Sequence, residues 1–226
     1  MNQIADRPAF DWDFAWEVLP DVWGGMVRII VATVLGITIA MILGLFLALG
    51  RRSQRKWIAW PFAAVIDFVR STPLLIQLFF VFFALPELGI VLSAMTSLVL
   101  GLGVHYATYA SEAYRAGINA VEKGQWEAAT ALNLNPVTTW KDVILPQAIP
   151  KVIPALGNFL VAMIKDAPLG SSIGVAGVLF VARSIGSQTF QYVETMTIAG
   201  VLFLAVSVPA ALFVQFLERK YGYEAA

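Results

Sequence analysis

The residues of this chain that could do chemistry lie inside or beside long apolar stretches. Lys165-Asp166 separates two apolar pieces, Val152 to Ile164 and Ile173 to Ala182. Each is shorter than the roughly 20 residues needed to cross a bilayer. An apolar segment broken by polar residues is the best sequence pointer to a transporter's binding site. An ammonium beside a carboxylate could hold a zwitterionic solute, or the two could neutralise each other at the membrane edge. A second group, His105, Thr108, Glu112 and Arg115, has the spacing of one helical face, with Gly101 above it. Glu112 and Arg115 can pair along that helix. Such a row either lines a solute path or forms a polar seam between helices. A third group is Asp67 and Arg70, three apart, followed by Thr72-Pro73 and Gln77. Pro73 cannot donate a backbone hydrogen bond, so carbonyls near Val69 are freed. The result is an opened turn facing a cavity, or a kink stabilised by an Asp67–Arg70 ion pair.

Several chemistries are excluded. Cysteine is absent, which removes disulfides, thiolate metal sites and cysteine nucleophiles. His105 is the single histidine and has no second ligand one turn away, so it reads as a packing residue and no metal or other cofactor is expected. Gly170-Ser171-Ser172-Ile173-Gly174 fits the G-x-S-x-G pattern, but a nucleophile elbow needs a strand before it and a broken apolar helix stands there instead. No G-x-x-x-x-G-K-[ST] loop occurs, so the chain does not hydrolyse ATP itself. Net charge is zero, and nothing points to nucleic acid.

The elements that must position these residues are membrane helices. The chain has 226 residues, 59% hydrophobic and only 13% charged, the balance of an all-α integral membrane protein. Apolar segments run from Ile29 to Leu49, Trp57 to Leu85, Leu92 to Ser111, Val152 to Ile164 and Thr195 to Leu217, giving about five spans in one domain over 1–226. Residues 152–182 read either as one broken helix or as a span with a re-entrant piece. Residues 1–21 are acidic, with Asp6, Asp11, Asp13, Glu17 and Asp21 against Arg7, the wrong sign for a signal peptide. They read as an extracytoplasmic segment before the first span. With five spans, Arg51, Arg52, Arg55, Lys56, Lys123, Lys141, Lys151, Arg219 and Lys220 fall on one side, and Arg7, Arg28 and Arg183 on the other. The positive-inside rule then places the C-terminus in the cytoplasm and the N-terminus outside.

Between the third and fourth spans lies GQWEAATALNLNPVTTWKDVILPQAIP, residues 124–150. Glu127 to Leu132 reads as a short helix whose small Ala128 and Ala129 allow close approach of another protein. Asn133 is placed to reverse the chain with positive φ, which Asn tolerates better than any residue but Gly. Asn135-Pro136 reads as an N-cap and first helical residue, opening a second short helix that stops before Pro146. The tripeptide Glu127-Ala128-Ala129 carries no weight alone, but its frame does. Tyr109, Glu112, Arg115, Gly117, Ile118, Gly124 and Gln125 precede it, and Leu145-Pro146 follows. Arg70-Ser71-Thr72-Pro73-Leu74-Leu75 with Gln77 is similar to an R-G-T-P-L-L-x-Q pattern, and Lys165-Asp166 to the start of K-D-T-S-L.

In these features the chain, from about residue 24 onward, resembles the permease subunits of binding-protein-dependent ABC importers, in the polar amino acid (histidine/glutamine permease-like) branch. The resemblance implies an EAA loop at which a separate pair of ATP-binding subunits docks, through Gly124, Glu127, Ala128, Ala129, Asn133, Leu145 and Pro146. It implies a second permease, identical or homologous, an extracytoplasmic solute-binding protein, and the bacterial cytoplasmic (inner) membrane. Lys165, Asp166, Thr72, Gln77, His105, Thr108 and Glu112 are then candidates for the solute path, with Asp67, Arg70 and Arg115 as structural ion pairs. Departures from the branch are Ser71 for Gly, Asn133 for Gly, Ala167-Pro168 for Thr-Ser and Gly177 near a usual Glu. Lost hydroxyl and carboxylate partners suggest a compact amino-acid-like zwitterion such as ectoine beside ordinary polar amino acids. The other readings are a secondary carrier, which would need internal repeats that are not seen, and a purely structural membrane subunit, which leaves the loop unexplained.

Overall fold

Proline and glycine decide where this chain bends. The computed structural model describes residues 10–221, all of whose regular elements are helices. Asp6, Arg7 and Ala226 lie outside the described residues. Helix α1, Trp12–Arg51, begins where the Asp11 carboxylate accepts the Phe14 N–H at 3.1 Å. At 1.5 Å per residue its 40 residues rise about 60 Å. Residues 12–21 are therefore helical and continuous with the first apolar segment, in a helix about twice as long as the roughly 30 Å of hydrocarbon it has to cross. An N-cap and Asp13 in the first turn complement the positive helix end and extend it beyond the apolar stretch.

The apolar stretch 57–85 is not one straight span. It forms α2, Lys56–Arg70, and α3, Leu74–Leu88, set at 103° to each other across Ser71-Thr72-Pro73. Helix α4, Ala94–Asn119, starts at the Ser93 cap. Helix α5, Lys123–Ala131, is short, and α6 runs unbroken from Pro136 to Ile173, 38 residues. The expected stop before Pro146 does not occur. A π-helical turn, Thr139–Ile144, widens the backbone just ahead of the proline, and another, Phe80–Ala84, precedes Pro86 in α3. Widening relieves the clash between a proline ring and the carbonyl four residues back. The break in the fourth apolar segment is likewise displaced from Lys165-Asp166. The helix only tightens to 3₁₀ geometry over Ala167–Ile173, and the chain leaves it at Gly174, whose φ is 83°. Helix α7, Val178–Thr189, and α8, Tyr192–Tyr221, complete the bundle.

Three helices, α1, α6 and α8, are long and apolar enough to cross a membrane, and the bent α2–α3 pair makes four. Helix α4 has the length but not the hydropathy, because it fills the centre of the bundle. Leu98, Leu102, Thr108 and Ser111 on it are wholly buried. Its main neighbour is α1. Ala32, Gly36, Ala40 and Gly44 repeat every fourth residue on α1 and are all buried. Facing them are Gly103, Ala107 and Ala110. A Cβ on Gly44 would lie 2.8 Å from the Ala107 carbonyl oxygen, and one on Gly103 would lie 2.7 Å from the Ile39 side chain. Between helices in lipid there is little hydrophobic driving force, so close backbone approach over small residues supplies the contact. Large apolar side chains instead point outward, among them Ile42 and Phe46 on α1 and Leu204, Leu212 and Phe216 on α8.

Gly44→Ala should therefore lower stability by about 1–3 kcal/mol, the usual cost of overpacking. Gly24→Ala, where an added Cβ meets nothing within 4 Å, should be neutral. Thermal unfolding of the two detergent-purified variants checks this. Equal melting temperatures would show that α1 and α4 are not held by backbone contact.

Candidate functional site

The α2–α3 bend exposes backbone carbonyls, and one side chain of the bend itself and one of α3 take them up. Thr72 Oγ1 donates to the Val69 carbonyl at 3.0 Å, and Gln77 Nε2 donates to the same carbonyl at 2.7 Å and to that of Thr72 at 3.0 Å. The Gln77 Oε1 lies 3.2 Å from His105 Nδ1 on α4. The imidazole sits against the rings of Tyr106 and Tyr109, and the Tyr106 hydroxyl donates to Asp166 Oδ2 at 2.7 Å. Thr72, Gln77, His105 and Asp166, far apart in the chain, thus form one polar thread through α3, α4 and α6. Tyr106 is a link that residue type and spacing do not reveal. It is one helical turn plus a residue before Ser111 on a face that looks merely apolar.

Other candidates go elsewhere. Thr108 is 0% exposed and donates to the His105 carbonyl at 2.6 Å, turned into its own helix. Lys165 is exposed and makes no ion pair or hydrogen bond among the described residues. Neighbouring residues on a helix point about 100° apart, so Asp166 turns to α4 while Lys165 faces outward, and the two do not neutralise each other. A cavity of about 450 Å³ opens beside the kink, lined by Phe68, Thr72, Ile76, Gln77, Gly101 and Val104. Lys165 and Asp166 do not line it.

The charged residues near the ends of α1, α2 and α4 pair differently from the expected pattern. Glu112 accepts from Arg115 at 2.8 Å, as its spacing predicts, and also from Arg51 at 2.8 Å. Arg51 reaches Asp67 at 3.4 Å. Arg70 has no carboxylate partner among the described residues, and its guanidinium stacks 5.0 Å over the Tyr109 ring. The reason is direction: Asp67 lies on the side of α2 facing α1, whereas Arg70, next to the bend, reaches α4. Arg51 looked like one of a run of flanking cations, and only the tertiary fold shows that it joins three helices.

At the same end of the bundle, α5 and the start of α6 form a helical hairpin. Asn133 has φ 50°, its N–H donates to the Thr130 carbonyl, and the Leu134 N–H donates to the Ala129 carbonyl, both at 3.0 Å. These paired bonds are a Schellman closure, which requires a left-handed residue at this point. The Asn135 side chain then accepts the Thr138 N–H at 2.9 Å, with Pro136 as first residue of α6. Helix α5 begins at Lys123, so Glu127 stands a full turn inside it and not at its start. Glu127 and Ala128 are exposed, Leu132 is 72% exposed, and Gly124 has open space beside it. Ala129 faces inward at 3% exposure. Leu145 and Pro146 are exposed on α6. Trp126 and Trp140 meet edge to face at 5.4 Å beneath the hairpin.

A buried central helix crossed by long apolar helices, one of them continuous with an exposed polar hairpin, defines a polytopic membrane transport subunit. The chain belongs to the family of binding-protein-dependent transport system inner membrane components, whose pattern it matches over residues 36–223. It is 43% identical over 216 residues to the "Probable amino-acid ABC transporter permease protein y4tG" of Sinorhizobium fredii, covering 92% of this chain and 94% of that one. It is 34% identical to the L-cystine transport system permease protein TcyB of Bacillus subtilis, covering 94% and 92%. The arginine transport system permease protein ArtQ of the same organism is also 34% identical, covering 89% and 93%. Among solved structures, the crystal structure of an amino acid ABC transporter with histidines superposes with a TM-score of 0.88 at 32% identity, covering 94% of this chain and all of that one. The inward-facing MetNI methionine transporter shares the fold, with a TM-score of 0.67 at 20% identity over 94% of this chain and 99% of that one.

Proposed function

We propose that this chain is the permease subunit of an importer for polar amino acids, with the α5–α6 hairpin as the dock for a pair of ATP-binding subunits. The observation that carries the reading is the hairpin itself. Its Schellman turn holds Glu127, Ala128 and Leu132 outward on a short helix, in a chain that has no phosphate-binding loop of its own. Small and apolar side chains let a partner approach the helix closely, and Glu127 adds a charge for recognition. The excess of Lys and Arg at this end supports a cytoplasmic hairpin and C-terminus, with the start of α1 outside, where a solute-binding protein would deliver cargo. A second permease, identical or homologous, completes the path and covers part of the outward apolar surface of α1 and α8.

The relatives named for cystine and arginine support a polar amino acid as solute. The substitutions at Ala167, Pro168 and Gly177 leave room for a compact zwitterion such as ectoine. Lys165, exposed and unpaired among the described residues, is suited to a solute carboxylate, and Asp166, held by Tyr106, to a cationic group. Thr72 and Gln77 line the cavity next to the bend. Glu112 and Asp67, both paired with Arg51, and Arg115, paired with Glu112, serve packing in this reading.

Glu127→Lys reverses the charge on the exposed hairpin face. It should leave the protein inserted yet abolish transport-coupled ATP hydrolysis in the assembled complex. Normal hydrolysis and uptake by this variant would show that the dock lies elsewhere. Reporter fusions should place the 119–146 loop and the C-terminus in the cytoplasm, and residues before Val22 outside. A cytoplasmic start to α1 would overturn the orientation. Asp166→Asn keeps an acceptor for Tyr106 and removes only the charge. Radiolabelled uptake of L-glutamine, L-arginine and L-cystine should fall about tenfold or more for whichever is carried, the loss of one charge-assisted bond, with assembly and basal hydrolysis unchanged. Unaltered uptake would leave Asp166 as an anchor for Tyr106 alone.

A further inference from the structure

One cation at the hairpin end does more than add to the positive charge there. Arg52 closes the C-terminal end of α1, and its backbone N–H caps the Ala48 carbonyl. Its guanidinium lies 5.5 Å from the centre of the Trp126 ring on α5 and 5.4 Å from that of Trp140 on α6. The same guanidinium donates to Asn119 Oδ1 at 3.3 Å, at the last residue of α4. Trp126 and Trp140 are the only aromatic residues between positions 119 and 150. Both rings therefore meet one cation supplied by the turn between α1 and α2. Beneath them lies a small apolar cluster of Ile118, Val121, Ile144 and Ala148, separate from the main core. Lys151 donates to the Ala120 carbonyl and Gln147 to Gln125, so α6 is also tied to the end of α4 and to α5. None of those bonds reaches α1. Among the described residues Arg52 is the contact that bridges the hairpin's aromatic pair to the end of the first span.

We propose that Arg52 is a positioning residue for transport, a clamp that makes the docking hairpin and the α1–α2 turn move as one body. The proposal rests on the reading of the hairpin as the ATPase dock. A planar guanidinium suits this place, because it stacks on ring faces and keeps in-plane donors for Asn119. Helix α1 is also the helix packed backbone to backbone on α4. A displacement applied at α5 would therefore pass through Arg52 into the longest helix of the bundle, and not be absorbed by bending of the hairpin.

The chain contains no cysteine, so spin labels can be placed without background. Labels at Lys56→Cys and Ala131→Cys, both exposed sites, span the α1–α2 turn and α5. Electron–electron distance measurements are made on the complex with its ATP-binding subunits, at rest and trapped with ATP and vanadate. With Arg52 present, the distance should be the same in both states. With Arg52→Ala, trapping should shift it by roughly 1–5 Å, between a small helix shift and a one-turn slide. Trp140→Leu should reproduce that shift, and Trp140→Phe, which keeps a ring face for the cation, should abolish it. An Arg52→Ala protein whose distance is unmoved by trapping overturns the clamp, including the case where its distribution is only broader in both states, as a merely structural contact would give. Capture of the ATP-binding subunits by the unsubstituted chain is scored separately. Failure of that capture overturns the docking reading and the clamp with it, whereas capture without the shift removes the clamp alone.

Discussion

Helices α1 and α4 touch at their backbones, and the rest of the bundle is arranged around that contact. Gly44 and Gly103 have no Cβ because there is no space for one against the Ala107 carbonyl and Ile39. In a lipid environment the helices gain little from hiding apolar side chains from one another, since the tails are equally apolar. What remains is dispersion between closely fitted surfaces and the satisfaction of the few polar groups between them. Once α1 and α4 are joined, Gly36 brings Met163 of α6 against the same seam, and Gly25 lets the start of α7 rest on α1. The polar row on α4 is thereby enclosed on several sides, which is why a helix of modest hydropathy can lie in the middle of a membrane protein.

Pro73, Pro86 and Pro146 redistribute hydrogen bonds in two ways, and the difference decides which becomes a break. Pro86 and Pro146 follow π turns and leave their helices continuous. Pro73 follows Ser71-Thr72, and the chain turns sharply instead, because Gln77 and Thr72 supply donors for the carbonyls that the turn releases. A freed carbonyl at membrane depth is tolerated only with such partners. The bend thereby becomes a fixed corner, held through His105 to α4 and, by way of Tyr106, to Asp166 on α6. The non-helical backbone at Val175 to Gly177 is treated similarly: Arg28 donates to the Ala176 carbonyl at 3.0 Å.

The hairpin end of the bundle gathers charge, and that charge does two jobs. Arg51 joins Asp67 and Glu112, while its neighbour Arg52 lies over Trp126 and Trp140. Exposed ion pairs contribute little stability singly. Their value is geometric, since Arg51 ties the short α2 to the α1–α4 pair and Arg52 ties the hairpin to α1. The same lysines and arginines that would orient the chain in a membrane also brace its loops.

Much of this was legible in the sequence because it depends on local rules. Asn133 had to take positive φ, Asn135-Pro136 had to start a helix, and Glu112 had to meet Arg115 one turn on, since each follows from backbone sterics or helical spacing alone. The helical class and the surrounding frame of the α5–α6 hairpin were legible for the same reason, through apolar length and motif spacing. Where the sequence misled, the deciding partner lay in another helix. Lys165 and Asp166 look like a pair but point apart, and Asp166 finds Tyr106 on α4. Arg70 looks paired with Asp67 but stacks on Tyr109, leaving Asp67 to Arg51. Pro146 looks like a stop, yet a π turn carries the helix through it. Sequence by itself determined which segments are helices, which residues cap them and which polar groups must find partners. Only the tertiary structure decided which partners those are, because direction around a helix axis and the packing of distant helices are set by contacts that no local spacing contains.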